Sequence, residues 1–288
     1  MSGYASGVLA ILCINLIFAY GIFVSAAAGQ INLGGAGFQA IGAYATGWLS
    51  GVLGLPMWFT IPAAATVAAA ISFLIAFPVL RTRGVYLVLA TFAFGEVVSG
   101  YLMHSEIFGG AMGMVVPAHI DLWVLVTAAA AVTLLVFFLM ATRLGLAMRS
   151  INDDEEATVI IGVNVRAVQV TAFTIGGVLT GLSGALYAHT YGFVEAQYFN
   201  SLLSIYVLLF VLIGGSQTAW GPLAGSLFFT LLPELFRVGG SWRYLIFGVL
   251  IVLMMMLRPE GIVTRGAFRR LRQIIRRPSV AAAGGAGA

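Results

Sequence analysis

The chain has 288 residues, 61% of them hydrophobic and only 8% charged, with 14 basic and 10 acidic side chains and a formal net charge of +4. A soluble domain carries roughly 25% charged residues, and a water-facing surface must be covered in polar groups that are scarce here, so the composition excludes an ordinary soluble fold. Every basic residue is arginine; the lack of lysine excludes a Walker-type phosphate loop and any Schiff-base chemistry.

A bilayer span needs about 20 mostly apolar residues. Nine segments meet or approach that length: 4–28, 33–53, 57–80, 85–103, 121–141, 167–190, 201–215, 219–236 and 243–257. They predict an all-α fold, a polytopic transmembrane helical bundle of about 8–9 membrane segments occupying residues 1–262. The first segment lacks a basic leader and reads as a span rather than a cleaved signal. It carries Asn15, read as an interhelical hydrogen-bonding group and as a candidate for the translocation path. Gln30 and Asn32 follow beside Gly29, Gly34 and Gly35, where either close helix packing or unwound backbone lining a cavity is open. The second segment is Gly-rich, and the seventh and eighth are short, so these three are expected to be broken or re-entrant. Gly-rich stretches at 34–51 and 176–192 show no alignable repeat.

Arg81 and Arg83 follow the third span. Glu96 lies inside the fourth, where an ionisable group is costly and faces protein or water. It reads either as a path-lining or gating group or as a hydrogen-bonded packing contact. Further on, Arg143, Arg149 and Arg166 flank a long loop, 143–166, and seven more arginines run from Arg258 to Arg277. With nine crossings these twelve fall on one side, against Arg237 and Arg243 on the other. The bias makes the loop and the C-terminus cytoplasmic. Residues 263–288 form a basic, then Ala/Gly-rich tail, suited to anchoring at anionic lipid and without a nucleic-acid motif. Glu234 and Arg237 are spaced for a local ion pair.

Four consecutive acids, Asp153, Asp154, Glu155 and Glu156, stand in the long loop. Asn152 is a suitable N-cap, with Glu155 three residues on to close a capping box. Gly162 is placed to end the helix. The result is a short helix of about 13 Å, with Ala157, Ile160 and Ile161 on one apolar stripe. Such an element offers apolar groups to a groove and acids to a basic rim. His104, His119 and His189 are scattered, so no metal site is expected, and Cys13 as the single cysteine allows no internal disulfide.

The run Glu156-Ala157-Thr158-Val159-Ile160-Ile161-Gly162 resembles the E-A-A-x-x-x-G loop of ABC-importer permeases. The flanks from Arg143 to Val165 are similar to branched-chain amino-acid permeases of the LivM type. So are Gly29-Gln30-Ile31-Asn32-Leu33-Gly34, Arg83-Gly84-Val85-Tyr86 with Thr91-Phe92-Ala93-Phe94-Gly95-Glu96, and Gly214-Gly215-Ser216 with Trp220-Gly221-Pro222. Position 158 departs from the motif, being Thr rather than Ala, and the I-x-L-P extension is missing. The resemblance implies the transmembrane subunit of an importer of small polar solutes, branched-chain amino acids first among them. It implies that the short helix with Asp153, Asp154, Glu155, Glu156, Ala157, Ile160, Ile161 and Gly162 is a coupling helix, while the polar groups in and beside the spans, Asn15, Gln30, Asn32 and Glu96, are the candidates for a translocation path. The partners it implies are a homologous permease of the LivH type, two ABC ATPase subunits, a periplasmic or extracellular solute-binding protein and the lipid bilayer, with no nucleic acid. The location is the cytoplasmic (inner) membrane. No catalytic residue, metal or cofactor is expected in this chain, because ATP hydrolysis resides in the partners. The competing readings are an ion-coupled secondary transporter or channel, for which Glu96 is the candidate group, and an intramembrane enzyme, for which no acid–base cluster exists.

Overall fold

The computed structural model describes residues 3–117 and 119–235, and beyond them only positions 248, 249, 252 and 256. The remainder of the ninth expected span, the arginine-rich tail and Arg237 of the expected ion pair lie outside the described residues. The other eight expected segments each coincide with a helix. Five are long and apolar enough to cross a bilayer: α1 (Gly3–Ala27), α3 (Met57–Val79), α4 (Val85–His104), α5 (Leu122–Ala141) and α8 (Val165–Tyr191). The segments marked as broken or short are the three shorter helices α2 (Gly35–Gly51), α9 (Ser201–Gly214) and α10 (Trp220–Leu235). Two small helices, α6 (Arg143–Asp153) and α7 (Glu155–Ile160), join α5 to α8.

Lipid tails are as apolar as leucine, so helices in a bilayer associate through close backbone approach and interhelical hydrogen bonds rather than through hydrophobic burial. The sequence is built for that. The buried positions of α3 are Thr60, Ala64, Ala68, Ser72 and Ala76, a stripe of small residues every fourth position. Its opposite face exposes Trp58, Phe59, Phe73 and Leu74, as a lipid-facing surface should. In α4 the buried line is Leu87, Thr91, Gly95, Ser99 and Leu102.

Helix α8 is the hub. α1, α2 and α3 all pack on it, and the two Gly-rich stretches of the sequence are the two sides of one contact. A Cβ at Gly42 would collide with the backbone of Gly181, and a Cβ at Gly184 with the carbonyl of Gln39. Hydrogen bonds pin the crossings: Ser72 Oγ donates to the Phe173 carbonyl at 3.1 Å, Ser183 Oγ to the Ile14 carbonyl at 3.0 Å, and Gln39 Nε2 to Ser183 Oγ at 3.1 Å.

At one end of the bundle β1 (Met114–Val115) pairs antiparallel with β2 (Phe193–Val194), and Thr60 Oγ1 lies 2.8 Å from His189 Nε2. The opposite end gathers the 28–34, 80–84 and 142–164 segments. All five arginines among the described residues lie there. Arg81, Arg83 and Arg166 border one cavity, Arg149 Nη2 donates to the Met140 carbonyl at 2.7 Å, and Arg143 starts α6 directly after α5.

The backbone between α1 and α2 is not helical, although part of it lies at membrane depth. After the turn at Gly29, whose φ is +77°, residues 30–34 belong to no helix or strand, and Gly34, at φ −82° and ψ 6°, leads into α2. The Leu33 amide donates to Thr91 Oγ1 at 3.1 Å and the Gly34 amide to Asn32 Oδ1 at 2.8 Å. Thr91 is about 9 Å along α4 from Val85 by helical rise, so α2 begins inside the bundle. Irregular backbone is tolerated at that depth only where protein buries it and side chains satisfy its amides.

Candidate functional site

The loop segment from Arg143 to Arg166 folds as two helices with a break at Asp154, where φ is −159° and ψ is 108°. The expected cap at Asn152 is corrected: α6 runs through Asn152 to Asp153, its last turn closed by the Asp154 amide donating to the Ser150 carbonyl at 2.9 Å. Asp154 is the N-cap instead, its Oδ1 accepting from the Ala157 amide at 2.9 Å. The capping box with Glu155 does not form. Glu155 opens α7 and its Oε1 lies 3.2 Å from Arg83 Nη2. Both side chains are partly solvated, and an exposed pair of this kind contributes about 0–1 kcal/mol. With six residues α7 is about 9 Å long, shorter than expected.

Gly162 does end the helix. Its φ is +84°, its amide donates to the Val159 carbonyl at 2.9 Å, and the next amide, Val163, reaches back to Thr158 at 3.3 Å. That pair of bonds is a Schellman closure, which needs a left-handed residue at this position. The closure turns Thr158 inward, 2% exposed, and leaves Ile160 at 84% and Ile161 at 72% exposed. Ala157, Asp153, Asp154 and Glu156 are exposed around them. The result is a short, doubly capped helix that presents an apolar tip inside an acidic rim.

A second constellation lies halfway along α4. Glu96 Oε1 accepts from the Ser201 amide at 3.3 Å and, more closely, from the Ser201 hydroxyl. Asn200 caps the same helix, its Oδ1 accepting from the Leu203 amide at 3.1 Å. One turn on, Ser204 Oγ accepts from the Ala36 amide at 2.7 Å. The N-termini of α2 and α9 therefore meet beside the middle of α4. Each brings partial positive charge, and the Glu96 carboxylate sits at one of them. Glu96 is also solvent-exposed in the free chain, on the α4 face that carries Phe92, Val97 and Tyr101. At its other end α9 turns into α10 near Tyr20, whose hydroxyl lies 3.3 Å from the Ala219 carbonyl.

Of the four residues proposed for a path, three follow α4. Gln30 borders the same cavity as Leu87, Asn32 neighbours the Leu33–Thr91 bond, and Glu96 meets Ser201. Asn15 is elsewhere, partly buried at the middle of α1, about 18 Å from its end at Ala27. Sequence reasoning missed Thr91, Ser201 and Ser204. Asn200 before an apolar run is an N-cap signature that marks the start of α9, but nothing local pairs it with Glu96. Among the described residues no group of His, Cys, Asp and Glu could hold a metal ion.

The family model described as the branched-chain amino acid transport system / permease component matches residues 4–257. The chain is similar to the high-affinity branched-chain amino acid transport system permease protein LivM of Escherichia coli (strain K12), 32% identical over 82% of this chain and 64% of that protein. It thus spans just under two thirds of that relative's length. A nucleoside ABC transporter permease protein, NupC of Lactococcus lactis subsp. cremoris, is 31% identical over 36% of this chain and 33% of its own. The permease protein LivH of Escherichia coli (strain K12) is 24% identical over 46% and 43%. No solved structure matches.

Proposed function

We propose, from the premise that this chain belongs to the family of branched-chain amino acid transport permease components, that it is one transmembrane half of an ATP-driven importer of such amino acids. The observation that carries the reading is the exposed tip of α7, Ile160 and Ile161 within an acidic rim, held rigid by caps at both ends. A docking element needs that combination of exposed anchor and fixed backbone. The arginine-rich end that bears α7 is cytoplasmic by charge bias, where two ATPase subunits would grip it. A homologous permease of the LivH kind completes the path, and a solute-binding protein delivers the solute at the β1–β2 end. ATP-driven closure of the ATPases moves α7, and the bundle shifts between its outward-open and inward-open arrangements.

In this reading the polar junction of α2, α4 and α9 flanks the path. The exposed Glu96 face of α4 then meets water or the second permease, since lipid would exclude it. Reconstitution of the four kinds of subunit in proteoliposomes tests the proposal. Uptake of L-leucine should require ATP and the binding protein, and uptake driven by an ion gradient without the ATPases would refute it.

Glu96 supports a second reading, ion-coupled transport. The two part on one substitution. As a helix cap, Glu96→Gln keeps an oxygen acceptor for Ser201, so uptake should fall by less than about 3-fold, whereas Glu96→Leu removes the cap, worth about 1 kcal/mol, and should increase amide exchange at residues 201–204. As a proton carrier, Glu96→Gln would abolish uptake outright.

A further inference from the structure

Among the described residues Glu96 is the one acid or arginine that lies inside a span and away from its ends. It stands about 16 Å along α4 from Val85 and about 12 Å from His104 by helical rise, at the middle of a span as long as the hydrocarbon core. Its Oε1 accepts from the Ser201 amide and hydroxyl, and its Oε2 has no partner among the described residues. The same side of α4 is open in the free chain: Tyr86 is 74% and Leu89 56% exposed, and Ala93 and Glu96 are exposed with them. These four residues follow one another at spacings of three, four and three, which sets them on a single line along the helix. Leu89, Phe92 and Ala93 make the stretch between Tyr86 and the carboxylate apolar. An apolar line with one small residue and one polar group suits a contact between helices rather than the wall of a water-filled path. Lipid is excluded by the carboxylate. The exposed faces of α3 and α5 carry no charged group, and Phe73, Leu74, Leu134 and Phe138 suit lipid there.

A second copy of this chain fits that line badly. Two copies inserted in the same direction are related by a two-fold axis along the membrane normal, so an isologous contact sets each residue against its own depth in the partner. Glu96 would face Glu96, with no lysine anywhere in the chain and all five described arginines at the cytoplasmic end. We propose that the α4 line of Tyr86, Leu89, Ala93 and Glu96 is the contact with the second, non-identical permease, and that a helix of that partner places a hydroxyl or carboxamide donor on Glu96 Oε2. Either group also accepts a hydrogen bond, so Glu96→Gln is tolerated at this contact as it is at the start of α9. One carboxylate then joins three helices from two chains: α4 and α9 of this one and the helix of its partner. This inference rests on the reading of the chain as one transmembrane half of an importer.

Photo-cross-linking tests the contact, with p-benzoylphenylalanine placed at position 89 or 93 of the whole importer in its membrane. Illumination should join both positions to the second permease, while positions 134 and 138 on α5 should join no protein chain. Ala93→Trp should lower recovery of the second permease with this chain at least 10-fold and leave the melting temperature of the chain expressed alone unchanged. Cys13 is the single cysteine and is buried, so thiol labelling reads an introduced cysteine. In proteoliposomes of the whole importer a charged methanethiosulfonate should label Ala93→Cys at least 10-fold more slowly than Met112→Cys, an exposed position at the β1–β2 end. Cross-links from 89 and 93 to lipid alone, or to a second copy of this chain, would overturn the contact. So would full recovery of the second permease with Ala93→Trp, a lowered melting temperature of that variant on its own, or labelling of Ala93→Cys as fast as Met112→Cys. Cross-links of the expected pattern in an assembly whose uptake needs no ATPase would instead overturn the transport reading and leave the contact standing.

Discussion

Replacing Gly184 with alanine is expected to remove the folded protein from the membrane. The added methyl would collide with the Gln39 carbonyl oxygen and lie 2.9 Å from the Ala43 nitrogen, both backbone atoms of α2. Backbone cannot rotate aside as a side chain can, so α2 and α8 must separate. Overpacking in a well-packed core costs about 1–3 kcal/mol even where side chains adjust, and a rigid backbone collision should exceed that range. Separation would also break the Gln39–Ser183 hydrogen bond at the same crossing. Gly100→Ala in α4 is the matched control. A Cβ there meets nothing within 4 Å, so this change should be neutral or slightly stabilising through helix propensity. The yield and melting temperature of the detergent-solubilised protein read both. Equal yields and melting temperatures for the two variants would mean that the α2–α8 contact is not the one described.

The second large effect is expected at the tip of α7. The paired change Ile160→Glu with Ile161→Glu should leave the bundle intact and abolish ATPase retention. Both side chains are mostly exposed, at 84% and 72%, so their removal costs the free chain little. In a docked interface an apolar anchor is worth about 2 kcal/mol or more, about a 30-fold change in affinity. Two acids in an apolar groove should therefore weaken retention by more than 100-fold, and ATP-driven uptake should fall with it. Glu156→Arg, beside the tip, should give the same loss through charge reversal. Pull-down of the ATPase subunits and the thermal stability of the chain, measured together, decide the matter. ATPase that still co-purifies with both variants would remove α7 as the coupling element.

These two predictions concern different physical problems. Gly184 is a question of whether helices can approach at all. The tip of α7 concerns what a rigid bundle offers to another protein. The two are connected through α6, whose buried Gly145, Met148 and Ile151 seat it against the bundle and whose Arg149 closes the end of α5. In the proposed importer, force applied at Ile160 would thus pass through α6 to α5 and α8.

Much of this molecule could be read from its residues in order. Apolar runs of near-bilayer length specify helices because the hydrocarbon offers backbone groups no other partner, and the eight expected segments within the described residues each appear as one. The acids of the long loop, Gly162 and the exposed Ile160 and Ile161 were also legible, since caps and amphipathic stripes are local patterns. The details of the cap were not: Asn152 and Asp154 are both good caps, and the choice fell to Asp154 because α6, seated by its contacts with the bundle, carries the helix past Asn152. Tertiary structure alone decided that the Gly-rich stretches at 34–51 and 176–192 face each other, that Glu96 caps α9, and that Gln30 shares a cavity with Arg81 and Arg166. Each of those joins residues 50 or more positions apart. A sequence specifies local backbone preference and the polarity of each face strongly, but helices in lipid choose partners by the fit of small surfaces, and that fit exists only once the helices are side by side.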